Sequence, residues 1–180
     1  MSESSEAFTQ DELDLILEEA NGLGPDTHHL VQLLWHFGVH PSIVPALSRD
    51  ELHKRRVDGQ DAWGMVYRRT KTARECPVPA LDEDMVWLPD FIERTPFGSR
   101  WSVDRQLTRI QDRLEKRGYH INVCARRFRH SCAVRLGEMG FLDAQIESMI
   151  GVTPRVLRTY AKVRFEDAYR KLKKGGWASK

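Results

Sequence analysis

The sequence predicts a single α+β domain that is mainly helical and carries a small antiparallel β-sheet. The chain has 180 residues, of which 41% are hydrophobic and 30% charged, enough for one buried core. Apolar residues recur at helical spacing in most segments, which predicts helices. One segment, Ala62–Tyr67, is instead rich in strand-favouring residues and follows the turn residues Asp58 and Gly59.

Composition argues against membrane, secreted and metal-binding classes. No apolar run approaches the roughly 20 residues that span a bilayer. The N-terminus is polar and acidic, unlike a signal peptide. The three cysteines, Cys76, Cys124 and Cys132, form no close pairs, which argues against disulfides or a zinc site. The histidines between residues 28 and 40 follow no metal-ligand spacing. We therefore expect a cytoplasmic protein without a metal.

The charge is unevenly distributed along the chain. Residues 1–52 hold ten acidic side chains and one basic one, a net charge of −9. Residues 126–180 hold thirteen basic and five acidic side chains, a net charge of +8. The basic part predicts a surface for a polyanion. The alternative is that the two halves pair their charges with each other.

The N-terminal third predicts two helices after a disordered segment at residues 1–8. Thr9 and Glu12 have the spacing of a capping box and open the first helix. The sequence Gly24-Pro25-Asp26 predicts a turn, with Asp26 or Thr27 capping a second helix that ends at Gly38. A short helical segment is expected over Pro41–Leu47.

The middle of the chain predicts a hairpin and two helices. The strand Ala62–Tyr67 and the extended segment Glu75–Pro79 form the hairpin, with Lys71 near its tip and the prolines at a sheet edge. A helix is expected over Asp82–Arg94, in which Pro89 is a kink or a new start. Ser102 is expected to cap another helix, which ends at Arg117-Gly118. Trp87 and Trp101 are expected in the core.

The C-terminal third carries the residues with the clearest chemistry. Arg126, Arg127 and Arg129 cluster at the start of a predicted helix, and guanidinium groups bind phosphate oxygens in a bidentate fork. Tyr160 lies between cationic residues, and its hydroxyl is a possible nucleophile. This combination suggests phosphoryl transfer to a tyrosine. A last helix is expected over Phe165–Lys173, followed by a flexible tail at 174–180.

These residues resemble the catalytic domain of the tyrosine recombinases, the phage-integrase family. The order Arg129-His130-Ser131, then Ile150-Gly151, then Tyr160 follows the family pattern R-H-T/S, L-G and the nucleophilic tyrosine over 32 residues. The resemblance extends over residues 9–173. It implies the recombinase fold. Because the matching region begins at Thr9, we expect the N-terminal core-binding domain that is usual in the family to be absent.

The resemblance implies a role for each matching residue. Tyr160 is implied as the nucleophile, Arg129 as the second arginine of the site, and Lys71 as the acid for the leaving 5′ oxygen. Arg126 falls where the family usually has histidine, and His40 where it has its first arginine. Phosphate contacts are expected from four further residues: Arg127, Arg155, Arg158 and Lys162.

One family position is lost. The histidine after L-G corresponds to Val152, whose side chain cannot donate to phosphate. Arg155 or Arg158 is a possible substitute.

The resemblance implies a site-specific recombinase or integrase. It would cut and rejoin double-stranded DNA as a tetramer, through a 3′-phosphotyrosine intermediate and with no cofactor. It also implies a cytoplasmic, nucleoid-associated location. The alternative is an impaired relative that acts as a DNA-binding module, which the changes at His40 and Val152 favour.

Overall fold

The computed structural model describes residues 7–57, 60–68, 75–77 and 85–151, without the side chains of 55–63, 68 and 75–77. The helices of these ranges are α1 Gln10–Leu23, α2 Pro25–Phe37, α3 Leu88–Arg94, α4 Arg100–Lys116, α5 Ala125–Glu138 and α6 Asp143–Ile150. The strands are β1 Leu52–Val57, β2 Gln60–Arg68 and β3 Glu75–Pro77, and short 3-10 helices span Val44–Ala46 and Arg49–Glu51. The predicted mainly helical α+β architecture is confirmed.

Helix α2 is the centre of the helical layer. It contacts α1, α3 and α5. A surface helix buries one stripe of its circumference, whereas α2 fully buries four residues in five: Leu30, Val31, Leu33 and Leu34. The C-terminal end of α2 is therefore fixed from several sides, which matters because position 40 follows it.

The helix starts follow local capping chemistry, with two corrections. The capping box of Thr9 and Glu12 is confirmed, with both reciprocal hydrogen bonds present. The predicted turn at Gly24-Pro25-Asp26 is wrong, because Pro25 is the first residue of α2, where its missing N–H costs nothing. The cap of α4 is Ser99 rather than Ser102, which is instead the third helical residue of the capping box.

The sheet has the strand order β1-β2-β3. Strands β2 and β3 pair antiparallel, with Val66 opposite Pro77 and Arg68 opposite Glu75. The predicted hairpin is thus confirmed, and β3 lies at the sheet edge as its prolines predict. Strand β1 was not predicted, because the sequence His-Lys-Arg-Arg lacks the apolar alternation of a half-buried strand.

The two tryptophans differ. Pro89 lies in the first turn of α3 and marks a new start rather than a kink, so the helix expected from Asp82 begins only at Leu88. Trp87 packs against the core and stacks on His29, with ring centroids 4.3 Å apart. Trp101 is 80% exposed, so its predicted core position is wrong. It lies off the stripe that α4 buries, formed by Val103, Leu107, Ile110 and Leu114.

The N-terminal segment is ordered earlier than predicted. Phe8, assigned to the disordered segment, is buried. Its backbone N–H donates to Ser131 Oγ at 2.9 Å, and its ring packs 4.8 Å from that of Phe128. The segment before α1 therefore docks on α5.

The predicted helix over Phe165–Lys173 and the tail at 174–180 lie outside the described residues. In the part of the chain that is described, no helix is long and apolar enough to cross a membrane.

Candidate active site

The three clustered arginines of helix α5 lie in three different environments, because they point in different directions around the helix. Successive helical residues point about 100° apart. Arg126 is exposed, Arg127 is buried and Arg129 is half-buried. The three guanidinium groups therefore do not act as one phosphate clamp.

Arg127 belongs to the fold rather than to the phosphate surface. Its side chain is 7% exposed. Its Nη2 donates to both carboxylate oxygens of Glu12, at 2.8 and 2.7 Å, and its guanidinium lies 4.2 Å from the ring centre of Phe8. A buried arginine held by a carboxylate is not available to DNA. The burial of Arg127 argues against its predicted phosphate contact, and its pair with Glu12 is the charge pairing between the two halves that was the alternative.

Arg129 is anchored at the C-terminal end of α6. Its Nη2 donates to the carbonyl oxygen of Ile150, the last residue of that helix. The last carbonyls of a helix lack partners within the helix and carry a partial negative charge. This bond holds the guanidinium beside Gly151, which ends α6 in the left-handed conformation at φ 65°.

The end of α2 meets α5 and α6 at one point, which is Gly38. Its φ of 56° is left-handed, and a Cβ atom there would lie 3.0 Å from Cys132 Cβ and 3.6 Å from Ile150 Cγ2. The Cys132 thiol also donates to the carbonyl of His36 at 3.5 Å. The chain segment that leads to position 40 is thus packed against the same two helices that hold Arg129.

His40 is exposed and held by a residue that the sequence did not single out. Its Nδ1 lies 2.7 Å from Ser42 Oγ and accepts the backbone N–H of Ser42 at 3.2 Å. The backbone N–H of Ile43 donates to the carbonyl of His40 at 2.8 Å, which closes a tight turn. A polar residue two positions after a candidate histidine is the signal that could have pointed to Ser42.

Two other titratable groups in α5 are structural. Burial, followed by the charges of Arg127 and Arg126, lowers the pKa of His130 and so favours its neutral form. Burial raises the pKa of Cys132 to about 11, so its thiol stays protonated and is a poor nucleophile. Within the described ranges, no three potential ligands cluster to hold a metal ion.

The remaining predicted site residues lie outside the described residues: Lys71, Val152, Arg155, Arg158, Tyr160 and Lys162. Two of them adjoin described elements. Lys71 belongs to the segment between the paired strands β2 and β3, and Val152 directly follows Gly151.

The comparisons with known proteins identify the fold. No protein-family model and no curated protein matches the sequence. The structure resembles XerA recombinase, with a TM-score of 0.68 and 16% identity over 97% of this chain and 66% of that one. It also resembles the Tn1549 transposon integrase in complex with transposon right-end DNA, with a TM-score of 0.63 and 14% identity over 96% of this chain and 67% of that one.

A third similar structure is XerH site-specific recombinase bound to difH substrate, with a TM-score of 0.63 and 16% identity over 91% of this chain and 52% of that one. The chain has the tyrosine-recombinase fold. It spans between half and two thirds of the length of these recombinase and integrase chains. At this identity the likeness establishes the divergent recombinase fold that the sequence predicted, and activity is a separate question.

Proposed function

We propose that this chain is a tyrosine recombinase that cuts and rejoins double-stranded DNA through Tyr160. The observation that carries the proposal is the convergence on one side of α5. The half-buried Arg129, the α2 end that leads to His40, and the α6 end that leads to residue 152 are packed together. The recombinase fold supports the same reading.

The proposed reaction exchanges one phosphoester for another. The hydroxyl of Tyr160 loses its proton to the solvent as its oxygen attacks the phosphorus of the DNA backbone, and the bond to the 5′ oxygen breaks. Lys71 gives its proton to that oxygen, which leaves as a 5′ hydroxyl. The 3′-phosphotyrosine retains the ester, so a second 5′ hydroxyl rejoins the strand by the reverse step without ATP.

The proposed role of the cationic residues is to stabilise charge on the non-bridging phosphate oxygens. Arg129 contributes a fork that stays charged at any physiological pH. Arg126 is exposed beside it on α5, and His40 contributes a single hydrogen bond. Removing one preorganised donor of this kind costs about 10²–10³ in rate. Contacts farther along the DNA are assigned to Arg155, Arg158 and Lys162.

A second candidate is a DNA-binding module that has lost strand transfer. It is favoured by His40 and Val152, which stand where the resemblance implies an arginine and a histidine. Both candidates predict DNA binding that weakens as salt rises, because bound cations displace condensed counterions.

Covalent chemistry separates the two candidates. A randomised pool of nicked duplexes is incubated with the protein, and denaturing electrophoresis detects protein–DNA adducts. The recombinase forms adducts because the short nicked product diffuses away and rejoining fails. Tight, salt-sensitive binding without any adduct would leave only the binding module.

We also propose that the active form is a tetramer on DNA, in which the segment Phe165–Leu172 docks on a neighbouring protomer. The segment has balanced charge and apolar residues at helical spacing, Ala168, Tyr169 and Leu172. Light scattering of the DNA-bound protein should give four protomers, and a chain ending at residue 164 should bind DNA without this assembly.

A further inference from the structure

The histidine at position 40 has a defined hydrogen-bonding arrangement. The backbone N–H of Ser42 points at Nδ1 over 3.2 Å, and Ser42 Oγ lies 2.7 Å from the same atom. A backbone N–H only donates, so Nδ1 must carry its lone pair to receive it. A neutral imidazole has one donor and one acceptor nitrogen. This arrangement favours the neutral tautomer with its proton on Nε2.

Two contacts from one residue also fix the plane of the ring. Pro41, between the two residues, is buried, and the turn is closed by the bond from Ile43 N–H to the His40 carbonyl. The ring thus has a defined direction although it is exposed. A histidine is set in its tautomer by the hydrogen bond that its other nitrogen makes.

We propose that Ser42 is a positioning residue that holds His40 as an Nε2–H donor to the DNA phosphate, at the place where the resemblance implies an arginine. This inference rests on the proposed recombinase function. The packing at Gly38 brings this turn to the side of α5 that carries Arg129. His40 then contributes one directed hydrogen bond, which Arg129 complements with a charged fork.

The chemistry of serine suits this task. A carboxylate two residues after His40 would only accept, so it would favour a proton on Nδ1 and leave Nε2 without one, and its negative charge would repel the phosphate. A hydroxyl orients the ring and adds no charge.

The first test reads the tautomer directly and needs neither DNA nor activity. A long-range ¹H–¹⁵N spectrum of the imidazoles of the full chain is recorded at about pH 8.5, where an ordinary histidine with a pKa near 6.5 is neutral. Loss of a signal in His40→Asn assigns the residue. We expect the Nε2–H pattern, and only a partial shift towards a mixture of tautomers in Ser42→Ala, because the backbone N–H of residue 42 remains. An Nδ1–H pattern in the wild type would overturn the proposal.

The second test measures adduct formation in a double-mutant cycle. We expect His40→Ala to slow adduct formation by about 10²–10³-fold. Ser42→Ala should slow it by about tenfold, the lower end for residues that orient a histidine in metal sites. Ser42→Thr, which keeps the hydroxyl, should restore the rate.

The cycle distinguishes an effect through His40 from a general structural effect. Ser42→Ala should have no further effect in the His40→Ala protein, nor in His40→Arg, whose guanidinium has no acceptor nitrogen. Independent, multiplicative losses would overturn the positioning role. If the wild-type protein forms no adduct, both the proposed function and the donor role of His40 are contradicted. The spectrum decides the tautomer of His40 in either case.

Discussion

At the scale of single residues, residues of the same type that lie close together in the sequence can differ in burial. Arg126, Arg127 and Arg129 are equivalent on paper, and the structure makes them exposed, buried and half-buried. The partner of Arg127 is Glu12, 115 positions earlier, and no local pattern announces that pair. The motif around Arg129 was predictable because its chemistry depends on order and spacing. Ser42 was missed because its role exists only once the turn has formed.

The acid role of Lys71 is tested by changing the leaving group. Lys71→Ala should slow adduct formation on ordinary DNA by about 10²–10⁴-fold, the usual contribution of a positioned acid. Replacing the leaving 5′ oxygen by sulfur should restore most of the rate, because a thiolate, with a parent pKa near 8.5, leaves without a proton. Rates on both substrates are measured by quenched-flow electrophoresis.

Arg129→Ala is the control for that experiment. It should remain slow on the sulfur substrate, because the better leaving group does not replace the stabilisation of charge on the non-bridging phosphate oxygens. Equal rescue of both variants would contradict the assignment of Lys71 as the acid.

At the scale of elements, local signals predicted helix ends well when a single residue type decides them. The capping box at Thr9 and the stop at Gly38 are examples. The start of α4 was placed three residues late because Ser99 and Ser102 are both good caps, and only the backbone shows which one precedes the first turn. The packing of three helix segments at Gly38 could not be predicted, because it depends on how α2, α5 and α6 meet.

This packing predicts that Gly38 cannot accept a side chain. Gly38→Ala should destabilise the protein by about 2–4 kcal/mol, from left-handed backbone strain and from overpacking against Cys132. It should also lower adduct formation, because the turn at His40 shifts. Urea unfolding measures the first effect.

Gly118→Ala is the matched control. Its φ of 88° is at least as unfavourable for an L-residue, and no atom of the described residues, chain neighbours aside, lies within 4 Å of the added Cβ. It should destabilise less than Gly38→Ala and leave adduct formation unchanged. Equal losses of stability in the two variants would show that strain, not packing, makes Gly38 necessary.

At the scale of the whole molecule, some of the acidic side chains near the N-terminus form ion pairs inside the fold. Acidic residues of α1 pair with arginines of α4 and α5, as Glu12 does with Arg127 and Glu19 with Arg113. The Glu19 side chain is only 5% exposed and is shared by Arg113 and Arg117. Fold class and domain type were predictable from periodicity and motif, whereas which charges face inward required the packed structure.

This ion-paired cluster makes stability sensitive to acid. Hydrogen bonds from Arg113 and then Arg117 hold the pKa of Glu19 below its ordinary value of 4.5. A carboxyl with a lowered folded pKa contributes stability that is complete above the unfolded pKa and is lost as the pH falls through the folded pKa. The wild type should therefore lose more stability than Glu19→Gln between about pH 7 and pH 3.

Urea unfolding across that range measures the difference, and Glu18→Gln is the control. Glu18 shares Arg117 but its side chain is 62% exposed, so its pair contributes little. A parallel pH dependence for the wild type and Glu19→Gln would contradict the stabilising role of the cluster.

The central claim is that Tyr160 forms the covalent bond to the DNA, and the identity of the modified tyrosine tests this most directly. Adducts from the nicked pool are digested with nuclease and protease, and mass spectrometry locates the phosphonucleotide. Tyr67 is 2% exposed and serves the core, whereas Tyr119 is 40% exposed beside Arg117 and is the matched alternative. We predict a 3′-phosphonucleotide on Tyr160, abolished in Tyr160→Phe and retained in Tyr119→Phe; a phosphonucleotide on Tyr119, or adducts that persist in Tyr160→Phe, would contradict the account.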